Sequence, residues 1–79
     1  MNRYRPKTTY IQAMALDEQN LLDAMILTKG KILSLPLRLE IVDQNGTLIR
    51  GGIGYFLTYD GTGFSIWSPD DFKDFFEAI

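Results

Sequence analysis

The run Trp67-Ser68-Pro69-Asp70-Asp71-Phe72 constrains this chain more than any other stretch of it. Ser68 has the chemistry of a helix N-cap, Pro69 suits the first helical position, and Asp71 completes a Ser-x-x-Asp capping box. Trp67 and Phe72 stand at the two positions of a hydrophobic staple, which sets the angle at which the chain enters the helix. Phe72, Phe75, Phe76 and Ile79 then recur at i, i+3, i+4 and i+7, so one helical face is aromatic and apolar. A helix this short is marginal alone in water and must dock on something. The segments before it alternate like strands, which makes the docking surface a sheet and the fold class α+β.

The remaining elements follow from periodicity and turn chemistry. Residues 8–15 alternate, with Ile11, Ala13 and Ala15 on one face and Tyr10, Gln12 and Met14 on the other. Asp17 as N-cap and Glu18 in the first turn open a first helix. Its expected buried stripe is Leu21, Leu22, Met25 and Ile26, and Gly30 is its expected left-handed terminator, with Lys29 complementing the negative helix end. Residues 35–42 alternate again: Leu35, Leu37, Leu39 and Ile41 against Arg38, Glu40 and Val42, with Pro36 at a strand start or edge.

Two turns set registers. At Asp43-Gln44-Asn45-Gly46, a left-handed Gly46 in a bulge pairs Val42 with Leu48, Ile41 with Ile49 and Glu40 with Arg50. That register matches apolar with apolar and charge with opposite charge. Gly51-Gly52-Ile53-Gly54 reads as a breaker. A two-residue turn at Asp60-Gly61 pairs Leu57 with Phe64 and Tyr55 with Ile66. The expectation is one domain over residues 1–79, ordered β-α-β-β-β-β-α, with a mainly antiparallel sheet of about five strands, two helices, and residues 1–7 as a mobile basic arm.

Composition bounds the function. At 79 residues, with 46% hydrophobic and 13% aromatic residues, the chain is built to fold but has a limited core. It contains no cysteine and no histidine. That removes disulfides, thiolate metal sites, the usual general base and the Ser-His triad. No apolar run approaches the ~20 residues of a membrane span, and a cytoplasmic protein away from membranes is the expectation. The adjacent acids Asp17/Glu18 and Asp70/Asp71 belong to helix first turns, where negative charge is favoured. The glycine clusters lack the Lys-Ser/Thr of a phosphate-binding loop. No catalytic residue, metal ligand or cofactor is therefore expected, and the chain reads as non-enzymatic.

Charge is segregated although the net value is only −2. Arg3, Arg5 and Lys7 give residues 1–10 a charge of +3, while Asp60, Asp70, Asp71, Asp74 and Glu77 against Lys73 give residues 60–79 a charge of −4. A pI near 4.8 disfavours direct nucleic-acid binding driven by overall charge. Cations beside aromatic rings can nonetheless clamp an anion and stack a base. The candidate ligand-binding residues on this reasoning are Arg3, Tyr4, Arg5, Lys7, Tyr10, Arg38, Arg50 and Trp67, with Tyr55 and Tyr59 as further rings on an open sheet face. The competing reading places the rings in the core and leaves the arm solvated.

Two stretches resemble a family of short tailed-phage and prophage proteins. These begin Tyr-Arg-Lys-Lys-Pro-Val-Val-Ile-Glu-Ala and end in a hairpin followed by Pro-Asp-x-Phe-x-x-x-Tyr-Glu. Tyr4, Arg5, Lys7, Ile11 and Ala13 fall in register with the start, Tyr55 and Phe64 keep the spacing of the late hairpin, and Pro69, Asp70, Phe72, Phe76 and Glu77 match the ending. The chain departs at Gly54, Tyr59 and Ile66-Trp67, and the resemblance spans about half its length. It implies a phage accessory protein and brings no catalytic residue with it.

Two functions follow as expectations. The first is counter-defence by sequestering a small anionic, nucleotide-like ligand. So short a chain hardly encloses a ligand pocket of ~300 Å³ alone, which favours a homo-oligomer. The second is a protein–protein inhibitor or adaptor of a host defence or nucleic-acid-processing complex, working through Asp70, Asp71, Asp74 and Glu77.

Overall fold

The computed structural model describes the backbone of residues 2–5 and 11–78 and the side chains of residues 11–76. It is an α+β fold of antiparallel strands and two helices. In chain order the elements are β1 (Asn2–Arg5), β2 (Ile11–Ala15), α1 (Leu21–Thr28), β3 (Lys31–Leu33), β4 (Arg38–Val42), β5 (Leu48–Gly52), β6 (Phe56–Tyr59), β7 (Phe64–Trp67), α2 (Pro69–Phe75) and β8 (Glu77–Ala78). The strands form two sheets. The small one is β3-β4-β5; the large one is β7-β6-β2, extended at one edge by β1 and β8.

The expected single sheet of about five strands is thus corrected to two sheets, with three strands added to the expected order. Lys31–Leu33 is too short to show alternation, yet it pairs back on β4 through a four-residue turn, with Leu33 opposite Arg38. β4 therefore starts at Arg38 instead of residue 35, and Leu35 and Leu37 lie exposed in that turn. The residues expected to form a basic arm include a strand: Arg3 pairs with Gln12, Tyr4 with Ile11, and Arg5 with Glu77. The expected start of strand 8–15 and the final stripe residue Ile79 lie outside the described residues.

Cross-strand partners share a face, so the register assigns the large sheet two differently covered sides. The row Met14–Leu57–Ile66 faces the small sheet. There Leu57 joins Leu16, Leu21, Ala24, Leu39 and Ile41 in the main buried cluster. The rows Ala13–Thr58–Ser65 and Ala15–Phe56–Trp67 lie on the side of α2, where Ile11, Ala13 and Phe72 form a second buried cluster. Each fully buried large aliphatic side chain contributes about 1.5–3 kcal/mol relative to exposure.

The helices follow their caps. The Ser68 hydroxyl accepts from the Asp71 N–H at 3.2 Å, as the capping box requires. Phe72 stacks on Phe56 with ring centroids 4.0 Å apart, and Phe76 meets Trp67 edge to face. Phe75 departs from the expected core stripe and is 60% exposed. At α1 the expected Asp17 cap is corrected to Asn20, because Asp17 instead organises a preceding turn by accepting from the Gln19 and Asn20 N–H groups. The helix docks through Leu21 and Ala24, which leaves Leu22 and Ile26 exposed.

The first hairpin has the predicted register at all three pairs, and Gly46 is left-handed with φ 83°. The second is two residues out of the expected register: Leu57 pairs with Ile66 and Tyr59 with Phe64. Asp60 is the cause. Its carboxylate accepts from the Thr62 N–H, the Gly63 N–H and the Thr62 hydroxyl, closing a four-residue loop where a two-residue turn was expected. The Thr62 hydroxyl oxygen also lies 3.0 Å from Gln44 Oε1, which brings the two hairpin tips together.

The expected breaker at Gly51-Gly52-Ile53-Gly54 begins two residues late: Gly51 and Gly52 end β5, and the turn falls on Ile53 and left-handed Gly54, at φ 93°. A Cβ at Gly51 would collide with the Ile66 side chain and lie 2.8 Å from Tyr55 Cδ2, whereas one at Gly52 would meet only the Leu37 carbonyl, at 3.4 Å. Gly51→Ala should therefore cost about 1–3 kcal/mol in urea unfolding, while Gly52→Ala should stay within about 0.5 kcal/mol of the parent. Ser68→Ala, which removes the cap of α2, should cost about 1 kcal/mol by the same measurement.

Candidate anion-binding site

Leu39 and Ile41 of β4 point into the core, so the period of two turns Arg38, Glu40 and Val42 to the opposite side of the small sheet. Register completes three rows on that outer side: Leu33–Arg38–Gly52, Lys31–Glu40–Arg50, and Val42 beside Leu48. The middle row is an ion cluster. Arg50 Nε donates to Glu40 Oε2 at 2.6 Å, and Lys31 Nζ lies 3.7 Å from Glu40 Oε1. Val42 and Leu48 remain exposed at one end of the face.

Lys29 joins this face from the end of α1. The helix terminates with Lys29 left-handed, at φ 56°, in the role expected of Gly30. Gly30 serves a different purpose: a Cβ there would collide with the Glu40 carbonyl and lie 2.7 Å from Ile41 Cγ2. Its bare backbone lets the helix end press against β4. Lys29, Lys31, Glu40, Val42 and Leu48 consequently share a shallow cavity of about 210 Å³.

At the other end lies a larger open groove of about 420 Å³, lined by Pro36, Leu37, Arg38, Gly52, Ile53 and Tyr55. Arg38 Nε is buried and has no hydrogen-bond partner. A buried donor left unpaired costs about 1–3 kcal/mol. Among the described residues Arg38 also has no carboxylate partner, since Glu40 is taken by Arg50 and Lys31.

The electrostatic result is local inversion of the chain's charge. The side chains of five Lys and Arg residues are described: Lys29, Lys31, Arg38, Arg50 and Lys73. The first four gather on the outer side of the small sheet around one carboxylate, Glu40, although the whole chain carries −2. Glu40 is held below its ordinary value of 4.5, first by the Arg50 hydrogen bond, against the opposing effect of desolvation, and then by the charges of Arg50 and Lys31.

Among the candidates whose side chains are described, the structure places Arg38 and Arg50 on this face. Trp67 lies on the side of the large sheet that faces α2, half-buried, with Nε1 donating to the Thr58 hydroxyl at 3.2 Å. Arg3, Tyr4 and Arg5 sit on β1 in the large sheet, and Lys7 and Tyr10 lie outside the described residues. Asp70, Asp71 and Asp74 are exposed on α2, and Glu77 begins β8. Tyr59 packs against Phe64 with centroids 4.8 Å apart, and Tyr55 borders the groove.

Sequence reasoning missed Lys29, Lys31 and the groove residues Pro36, Leu37, Gly52 and Ile53. The available signal was Lys31-Ile32-Leu33 directly after a helix terminator, a short strand beginning with a cation. Among the described residues no three acidic side chains cluster as a metal site, and no helix is long and apolar enough to cross a membrane. No protein-family model, no curated protein and no solved structure matches the chain.

Because its folded pKa is depressed, Glu40 contributes stability that is present above its ordinary value and lost as pH falls through the folded one. The stability difference between the parent and Glu40→Gln should therefore be largest near neutrality and shrink in acid, below the ordinary glutamate range. Urea midpoints for both proteins from pH 7 down to pH 3 check this.

Proposed function

We propose that this protein is a non-enzymatic binding module for a small anionic ligand, which it takes on the outer side of the small sheet. The observation that carries this reading is the gathering of Lys29, Lys31, Arg38 and Arg50 around a single carboxylate in an otherwise acidic chain. Such a face focuses positive potential and raises the local concentration of anions. A ligand spanning it would meet Arg38 at one end and Lys29 and Lys31 at the other. The resemblance to short phage proteins supplies the setting: sequestration of a nucleotide-like messenger of host defence, in the cytoplasm, by a homo-oligomer. Among the sequence-derived candidates with described side chains, Trp67 packs beneath α2 on the large sheet and does not reach this face.

Calorimetric titration with linear and cyclic nucleotides at low salt tests the reading. Binding should weaken as salt rises, and Lys31→Glu combined with Arg38→Glu should reduce affinity at least about tenfold. A set of nucleotides that produces no heat at millimolar concentration would sink it.

One observation favours a second reading, in which α2 docks on a protein. Phe75 is 60% exposed beside the exposed Asp70, Asp71 and Asp74. An aromatic anchor with an acidic surround is a reasonable hot spot for a cationic protein surface. Co-purification of a stoichiometric host protein that is lost in Phe75→Ala, with no nucleotide bound, would decide for this role as inhibitor or adaptor.

A further inference from the structure

Lys31 and Arg50 share the Glu40 carboxylate, but Arg38, the next outward residue along β4, has no acidic partner among the described residues. Its surroundings differ from theirs as well. Arg38 borders a groove otherwise lined by the apolar residues Pro36, Leu37 and Ile53 together with Gly52 and Tyr55. Its guanidinium thus brings a positive charge to the groove with no counter-charge beside it among the described residues. Its buried, unsatisfied Nε–H needs an acceptor too.

We propose that this groove is a specific subsite for an aryl or alkyl oxyanion, in which Arg38 binds the carboxylate or phosphate and Leu37, Ile53 and Tyr55 enclose the apolar body. The proposal rests on the anion-binding reading above and names the ligand chemistry at one end of that face. Nε–H and an Nη–H share one edge of the planar guanidinium, and a rotation of the Arg38 side chain that turns this edge to the groove matches it to two oxygens of either group. The apolar walls distinguish this end from the Lys31–Glu40–Arg50 row, where a bare anion meets only charged side chains. Gly52 is what keeps the groove open. A methyl group there would meet ordinary van der Waals contact with the Leu37 carbonyl, so it narrows the groove without forcing the strands apart.

Amide-resolved NMR titration of the full chain with phenyl phosphate, benzoate and inorganic phosphate at fixed ionic strength tests the inference. Phenyl phosphate, benzoate or both should shift Arg38, Gly52, Ile53 and Tyr55, and should bind about tenfold more tightly than inorganic phosphate, as burial of a ring predicts. A response to benzoate alone assigns the group as a carboxylate, and to phenyl phosphate alone as a phosphate. Gly52→Ala should weaken the aryl anions severalfold while leaving the melting temperature and inorganic phosphate binding unchanged. Arg38→Lys should weaken them as well, because an ammonium offers no two-donor edge. Equal affinity for phenyl and inorganic phosphate, or indifference to Gly52→Ala, overturns the subsite; shifts confined to Lys31 and Arg50 then leave the broader anion-binding reading standing. No shift with any of the three anions overturns both.

Discussion

The absence of a side chain at Gly51 sets how closely the two sheets approach. Gly51 lies opposite Leu39 on β5, and any Cβ there would drive into Ile66 of the large sheet. With hydrogen in that place, β5 and β7 come into contact, and Leu39, Ile41 and Leu57 close over one another with almost no exposure. In a chain of 79 residues that cluster is much of the available core. Gly30 makes a second approach of the same kind, pressing the end of α1 onto β4. Two glycines thus fix the position of the small sheet, one against the large sheet and one against the end of α1.

That position has a chemical consequence. Once Leu39 and Ile41 are committed to the core, Arg38, Glu40 and Val42 have no choice but the outer side, because neighbouring strand residues alternate. Antiparallel register then aligns Lys31 and Arg50 with Glu40, and the approach at Gly30 brings Lys29 beside them. The cationic face is in this sense a by-product of the packing on its reverse side. The large sheet differs: α2 covers one of its sides, and Trp67, Phe56 and Phe72 are used there as core. Trp67, which the sequence offered as a stacking platform, is spent on holding a seven-residue helix in place.

The alternative acidic surface on α2 and the cationic surface on the small sheet occupy different elements, and each combines charge with exposed apolar groups. Phe75 stands beside Asp74; Leu37 and Ile53 stand beside Arg38. An anion with an apolar body suits the second, a basic protein surface the first. Both readings describe recognition, in a chain without histidine or cysteine.

What the sequence determined by itself is local. The cap and first turn of α2, the left-handed Gly46 and the three β4–β5 pairs nearest the turn were all legible, because each depends on residues within about ten positions of one another. The Glu40–Arg50 pair was legible for the same reason. Tertiary structure decided the rest. Residues 2–5 and 31–33 became strands only because existing edges offered them partners, whereas the two-residue shift of the second hairpin is local, since Asp60 takes the Thr62 and Gly63 N–H groups in a way that strand alternation does not reveal. The cationic face belongs to this second class: Lys29, Lys31, Arg38 and Arg50 are spread over more than twenty positions of sequence, and only sheet pairing and the bare backbones of Gly30 and Gly51 bring them to one side.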